Sequence, residues 1–185
     1  MKPTLILIDI QRDYFPQGKM EVTGALDAAR QAGKLLDCFR KNRLPVFHVQ
    51  HISTRPGATF FLPNTSGIAI HDAVAPLPGE TIIEKHFPNS FRDTSLDERL
   101  ASTGTRDLVI CGMMSHMCID TTVRTAFDKG YTCLVAHDAC ATRNLIFNGV
   151  EVPAQHVHTA YMAALGAVFA KVASADEIIA MLALG

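Results

Sequence analysis

Three residues that lie far apart in the sequence have side chains that together can carry out nucleophilic chemistry. Cys118 follows an apolar segment and falls in the predicted first turn of a helix, three residues after Ser115, a good helix N-cap. Unpaired amides and the positive end of the helix dipole favour anionic sulfur there, and the thiolate is the nucleophilic form of cysteine. Asp9 and Lys85 can supply a proton acceptor and a charge partner. We therefore interpret Asp9, Lys85 and Cys118 as a candidate catalytic triad.

Each of these residues also has an ordinary structural interpretation. A strand-end aspartate can be a hydrogen-bond acceptor, a lone lysine is more often on the surface, and most cysteines are small buried hydrophobes. The five cysteines are odd in number, and no two have the spacing of zinc or thioredoxin-type motifs, so we expect reduced thiols. The joint occurrence of Asp9, Lys85 and Cys118 at predicted strand ends favours the catalytic interpretation.

The elements that position these residues follow an alternating pattern. Apolar segments alternate with segments of helical period, and six are predicted as strands: TLILIDI, LPVFHVQH, TIIEK, RDLVICG, YTCLVAHDA and AVFAKVAS. Strands that are apolar throughout indicate a mostly parallel sheet with helices on both faces. We predict an α/β fold, a three-layer Rossmann-like sandwich, with one domain over residues 1–185. Ligands bind outside the carboxyl ends of such strands, so the polar residues there should converge.

Composition and charge exclude several classes of function. The chain is 48% hydrophobic and 19% charged with a formal net charge of −1, which is typical neither of disorder nor of nucleic-acid binding. No apolar stretch is long enough for a membrane helix, and the N-terminal segment is too short and polar for a signal peptide. QRDYF follows the first strand where a nucleotide-binding protein would have a glycine-rich loop. We expect a cytoplasmic protein that binds a small molecule and neither nucleic acid nor a membrane.

Three segments, LILIDIQRDYF, IIEKHFPNSF and CGMMSHMCIDTTVRTAFDKGYTCLVAHDACAT, together resemble the isochorismatase-like cysteine hydrolases. This superfamily includes nicotinamidases and N-carbamoylsarcosine amidohydrolase, and the resemblance covers essentially the whole chain. It implies that Asp9 is the general base, that Lys85 stabilises charge and that Cys118 is the nucleophile. It also implies a cis peptide bond between Met113 and Met114, and an oxyanion hole made by the backbone amides of Met114 and Cys118.

The same resemblance implies an activity and an assembly. We expect hydrolysis of a small amide, ureido or carbamoyl compound through a thioester, with release of ammonia or an amine and without a cofactor. Weaker candidates for substrate contacts come from sequence proximity and from the resemblance: Phe15, Phe61, Asn89, Phe91 and His116. Relatives commonly assemble, so a homodimer or homotetramer is expected.

Two alternatives stay open at this point. Nicotinamidase activity would use a metal site, but Gln50 and Asn64 stand where the resemblance places an aspartate and a histidine ligand, and a neutral amide is a poor replacement for a carboxylate. His48 and His51 remain as candidate ligands, although their odd separation on a strand points them to opposite faces. We predict no metal site. The other alternative is a redox-sensing or small-molecule-binding module that uses Cys118.

Overall fold

A parallel sheet is the centre of the computed structural model, which describes residues 2–183. In chain order the elements are β1 (Thr4–Ile8), α1 (Ala25–Lys41), β2 (Val46–His51), β3 (Thr81–Lys85), α2 (Leu96–Thr103), β4 (Asp107–Met113), α3 (Asp120–Asp128), β5 (Thr132–Ala141), β6 (Leu145–Phe147), β7 (Val150–Val152), α4 (Ala154–Val168), β8 (Lys171–Ala173) and α5 (Ala175–Ala183). The six-stranded sheet has the order β3-β2-β1-β4-β5-β8, and every neighbouring pair is parallel. The predicted α/β class is confirmed.

The strand order explains why helices cover both faces of the sheet. From β1 the chain moves outward to β2 and β3, and it then returns to β4 and moves in the opposite direction. Because crossovers between parallel strands are right-handed, α1 and α3 lie on opposite faces. All five residues of β1 are buried, as expected for a strand covered on both sides. The strand order reverses between β1 and β4, which is where open α/β sheets bind ligands.

Two elements differ from the sequence prediction. The segment AVFAKVAS was predicted as one strand, but α4 continues to Val168 and only Lys171–Ala173 pair with β5. The carbonyl of Leu165 accepts from the amides of Phe169 and Ala170, so the helix closes well inside the apolar run. An apolar run of this length does not by itself separate a buried helix end from a strand.

A small antiparallel hairpin, β6 and β7, was not predicted. Its turn is Asn148-Gly149, and both residues have positive φ values of 50° and 77°, as a type I′ turn requires. Ile146 and Phe147 on this hairpin are 75% and 76% exposed. The homodimer or homotetramer implied by the resemblance stays a prediction. Within residues 2–183, no helix is both long and apolar enough to cross a lipid bilayer.

Candidate active site

The close approach of β1 and β4 brings together residues from distant parts of the sequence. Asp9 directly follows β1, Lys85 ends β3, and Cys118 lies in a π-helical turn, Ser115–Ile119, between β4 and α3. Near this point Gly112 has φ +130°, and a Cβ atom on it would collide with the carbonyl oxygen of Ile8. Glycine is therefore required at this position inside β4.

Lys85 is the centre of a buried polar cluster. Its Nζ donates to Asp9 Oδ2 at 2.7 Å and to the Phe87 carbonyl at 3.1 Å, and it also lies 3.1 Å from His51 Nδ1 and 3.4 Å from Cys118 Sγ. The side chains of Asp9 and Lys85 are both 0% exposed. The second carboxylate oxygen, Asp9 Oδ1, is buried and has no hydrogen-bond partner among residues 2–183. The three residues of the candidate triad are thus in contact, and one carboxylate oxygen is free.

Charges in this cluster follow from burial and proximity. Burial by itself would lower the pKa of Lys85, but the charge of Asp9 and its hydrogen bond to Nζ outweigh it and raise that pKa above its ordinary value. Lys85 is therefore an ammonium group. Burial raises the pKa of the Cys118 thiol, and the charge of Asp9 raises it further, while Lys85 acts in the opposite direction. Burial therefore favours the neutral thiol, in contrast to the anionic sulfur that the predicted helix start favoured.

The turn that carries Cys118 also differs in detail from the predicted helix start. Ser115 is not the N-cap, because its hydroxyl donates to the Ala141 carbonyl at 3.2 Å and lies 2.8 Å from His158 Nδ1. The carbonyl of Met114 accepts from the amides of Met117 and Ile119, which gives the turn its π-helical form. The peptide bond between Met113 and Met114 is cis, as the resemblance implied.

A cavity of about 420 Å³ opens above Cys118. Aromatic side chains form much of its wall, including Tyr14, Phe60, Phe61 and Phe87. Phe60 and Phe61 come from the long segment between β2 and β3. The centroid of the Phe61 ring lies 4.6 Å from that of Tyr14 and 5.7 Å from that of His51, so the wall is a packed aromatic cluster.

Only one of the five predicted substrate contacts, Phe61, lines this cavity. The prediction that Phe15 contacts the substrate has to be corrected. Its ring stacks on that of His71, with 3.8 Å between the ring centroids, and lines a separate cavity beside Arg12. Its neighbour Tyr14 faces Cys118 instead. Proximity to Asp9 in sequence was therefore not enough to fix the direction of Phe15.

The other three predicted contacts also have different structural roles. Asn89 Oδ1 accepts from the amide of Phe91, which fixes a turn before α2. The Phe91 ring stacks on that of Tyr131 at 6.1 Å. His116 Nδ1 lies 2.5 Å from the hydroxyl of Thr142. None of Asn89, Phe91 and His116 lines the cavity above Cys118, because each is held by partners elsewhere.

The two histidines considered as metal ligands point in opposite directions, as their spacing predicted. His48 Nε2 lies 2.9 Å from Glu80 Oε2, whereas His51 Nδ1 faces Lys85. Gln50 donates its side-chain amide to the Ile68 carbonyl at 2.8 Å. Within residues 2–183, no group of three or more His, Cys, Asp or Glu side chains is arranged to hold a metal ion.

Sequence reasoning missed several residues of the cavity. Tyr14, Arg55 and His86 line it, and so does His51, a residue at the end of a predicted strand that had been considered as a metal ligand. A signal for Tyr14 was present in its position within QRDYF, directly after the strand that ends at Asp9. Arg55 and His86 carried no comparable signal, because their placement depends on the fold of the segment after β2 and on the end of β3.

Comparison with known proteins gives a consistent result. Residues 3–177 match the Isochorismatase domain family. The uncharacterized isochorismatase family protein YddQ of Bacillus subtilis (strain 168) is 53% identical over 179 residues, which are 97% of this chain and 99% of YddQ. The chain belongs to the isochorismatase family.

Solved structures of the isochorismatase family share the fold. A crystal structure from Oleispira antarctica, whose name places it among isochorismatase hydrolases, has a TM-score of 0.93 and 51% identity, and the match covers 97% of this chain and 96% of that one. The N-carbamoylsarcosine amidase of Thermoplasma acidophilum has a TM-score of 0.80 and 26% identity, with 95% and 98% coverage. The isochorismatase family thus includes proteins named as amidases.

Proposed function

We propose that this isochorismatase-family protein is a cysteine-dependent amidohydrolase that cleaves a small amide, ureido or carbamoyl compound. The observation that carries the proposal is the contact of Lys85 Nζ with both Asp9 and Cys118, at 2.7 and 3.4 Å, at the base of a cavity. A nucleophile, a carboxylate base and a cation in mutual contact are the groups that acyl transfer needs. Similarity to an amidase supports cleavage of a carbon-nitrogen bond.

The first step of the proposed reaction forms a carbon-sulfur bond. Because the pKa of Cys118 is raised by burial, the thiol must lose its proton as it attacks the substrate carbonyl. Asp9 Oδ1, which has no partner among the described residues, accepts that proton. Lys85 stabilises the negative charge on sulfur as the proton leaves. The backbone amides of Met114 and Cys118 are proposed to bind the oxygen of the tetrahedral intermediate.

The second step breaks the carbon-nitrogen bond. Asp9 returns its proton to the leaving nitrogen, and ammonia or an amine departs from a thioester on Cys118. Water then attacks the thioester carbonyl while Asp9 takes one of its protons. The carbon-sulfur bond breaks, the proton returns to sulfur, and the product is a carboxylic acid for an amide substrate or a carbamic acid for a ureido or carbamoyl substrate. No cofactor enters this sequence.

Nicotinamidase activity, the alternative within the family, has weaker support. The amide of Gln50, which stands where the resemblance places an aspartate ligand, donates to the Ile68 carbonyl. His48 is turned towards Glu80 and away from the cavity. A carbamoyl, ureido or linear amide substrate needs no metal at these positions.

The test is an ammonia-release screen over nicotinamide and small carbamoyl, ureido and linear amides. Wild type is compared with Cys118→Ala and with Cys133→Ala, a matched control in which a buried thiol away from the cavity is removed. We expect at least one substrate whose turnover falls by about 10³-fold or more in Cys118→Ala and is kept in Cys133→Ala. Full activity in Cys118→Ala would disprove the proposal. So would a peroxide-induced disulfide at Cys118 in a protein that turns over no amide, because it would favour the redox-sensing alternative.

A further inference from the structure

His51 lies between Lys85 and the cavity, and its hydrogen bonding fixes where its proton is. Nδ1 lies 3.1 Å from Lys85 Nζ. An ammonium group has only hydrogen-bond donors, so Nδ1 must accept. A neutral ring that accepts at Nδ1 carries its proton on Nε2. His51 is therefore a hydrogen-bond donor at its other end.

The same ring is neutral at ordinary pH and its Nε2 is accessible. Burial lowers the pKa of His51 to about 4, and the charge of Lys85 adds to this effect against that of Asp9. Nε2 makes no hydrogen bond with residues 2–183 and is not sealed from solvent. Because His51 lines the cavity above Cys118, this N–H group is available to a bound molecule.

Arg55 adds a positive charge to the same cavity. It is exposed on the segment after β2, and its guanidinium forms no ion pair with any residue of the described range 2–183. Among residues 2–183, no aspartate or glutamate lines the cavity. The nearby carboxylate of Asp9 is already paired with Lys85. Among the described residues, the lining therefore combines apolar walls with one uncompensated cation, Arg55, and the neutral N–H donor of His51, beside the polar side chains of Ser53, Thr54 and His86.

From this arrangement we infer that the cavity selects amides that carry a carboxylate on the side away from the scissile bond, and that Arg55 and the Nε2–H of His51 bind this carboxylate. Arginine binds carboxylates through two parallel hydrogen bonds, and hydrogen bonds to a charged group are the stronger ones. A cavity of about 420 Å³ is within the usual size for small-molecule sites. Its aromatic walls would pack against the apolar spacer between the two ends. A cationic substrate would instead meet the repulsion of Arg55.

The inference deepens the proposed function but is tested without turnover. Binding is measured by NMR titration to Cys118→Ala, in which the proposed nucleophile is absent. The probes are three small amides of similar length: succinamate, which is anionic, succinamide, which is neutral, and 4-aminobutanamide, which is cationic. Glutaramate extends the spacer by one carbon. We expect the better of the two anionic amides to bind about 10-fold or more tightly than succinamide, and 4-aminobutanamide to bind most weakly.

Two substitutions in the Cys118→Ala background identify the groups that bind the carboxylate. Arg55→Met keeps the length of the side chain and removes its charge, and we expect it to abolish most of the preference for the anion. His51→Phe keeps an aromatic ring beside Phe61 and removes the donor, so we expect it to reduce the preference in part. Arg99→Met, which removes an exposed arginine of α2 that does not line the cavity, is the matched control and should keep the preference.

Three results would overturn the inference: equal binding of anionic and neutral amides, tighter binding of the cationic amide, or an anion preference that Arg55→Met leaves intact. The inference is also overturned if both anionic amides fail to bind at millimolar concentration. None of these outcomes depends on whether Cys118 catalyses amide hydrolysis. A protein that binds the anionic amides but shows no Cys118-dependent ammonia release would keep this inference and refute the proposed function.

Discussion

The ion pair of Asp9 and Lys85 should contribute to stability and chemistry in separable ways. Both side chains are 0% exposed, and Nζ lies 2.7 Å from Oδ2. Removing one partner of a buried pair leaves an uncompensated charge, at a cost of about 3–5 kcal/mol. We predict that Asp9→Asn and Lys85→Met each lower the free energy of unfolding by about this amount. The double variant, which buries neither charge, should recover most of the loss.

Activity should not recover with stability. Domains of ordinary size have a free energy of unfolding of about 5–15 kcal/mol, so the single variants should still fold and can be assayed. Asp9→Asn removes the proposed general base, whose contribution is typically about 10²–10⁴-fold in rate. Lys85→Met removes the charge that favours ionised sulfur. The double variant should therefore be nearly as stable as wild type and yet as inactive as Asp9→Asn.

Urea denaturation followed by circular dichroism gives the stabilities, and ammonia release from the substrate found by screening gives the activities. The matched control is Lys34→Met, which breaks the pair of Lys34 and Asp176, whose side chains are 44% and 70% exposed. Such an exposed pair contributes about 1 kcal/mol or less. The reasoning fails if the buried single variants lose no more stability than this control, or if the double variant is less stable than both singles. Retention of more than about a tenth of the activity in Asp9→Asn would refute its role as base.

Three further predictions follow from the site. Since the charge of Lys85 lowers the pKa of Cys118, Lys85→Met should move the alkylation of Cys118 by iodoacetamide to higher pH, as followed by mass spectrometry; an unchanged pH profile would contradict this. The pKa of His51 is lowered, mainly by burial, from 6.5 to about 4, so the unfolded chain binds more protons than the folded protein between pH 4 and pH 6.5. The contribution of neutral His51 to stability is therefore complete above pH 6.5 and is lost as the pH falls towards 4. As the pH falls from 6.5 to 4, the urea midpoint of His51→Phe should therefore decrease less steeply than that of wild type. An identical decrease in the two proteins would argue against the lowered pKa of His51. Asp13 Oδ2 accepts a hydrogen bond from the amide of Phe61 at 2.6 Å. Asp13→Ala should therefore release the backbone of Phe61 in the cavity wall, lower the free energy of unfolding by about 1–3 kcal/mol and raise KM. A KM equal to that of wild type would show that Asp13 does not support the site.

Much of the fold could be predicted because the hydrophobic pattern of the strands matches the type of sheet that they form. The segment TLILI is apolar at every position, which is typical of a strand covered on both faces, and β1 is indeed buried throughout. The hairpin of β6 and β7 was missed although Asn148-Gly149 is a strong turn signal, because its strands have only three residues each. Short exposed strands lack the burial that gives longer ones their pattern.

The contact between Asp9, Lys85 and Cys118 could be predicted because the carboxyl ends of parallel strands meet at one edge. The directions of individual side chains could not. Tyr14 and Phe15 are adjacent in sequence, yet only Tyr14 lines the cavity above Cys118, because the short turn that holds them points their rings to different sides. A candidate chosen by sequence proximity is therefore as easily on the wrong side of such a turn as on the right one.

The charge state of Cys118 was the least predictable feature, and it bears directly on the choice between a hydrolase and a redox sensor. Helix position favoured a thiolate, but only the folded structure reveals that Sγ is buried, with the residue 5% exposed, and that burial outweighs the opposing effect of Lys85. Redox-sensing cysteines are accessible and have low pKa values, because the thiolate is the form that is oxidised. A buried neutral thiol beside a carboxylate with a free oxygen is poorly suited to that role. It is suited to a nucleophile that loses its proton only when a substrate carbonyl is in place.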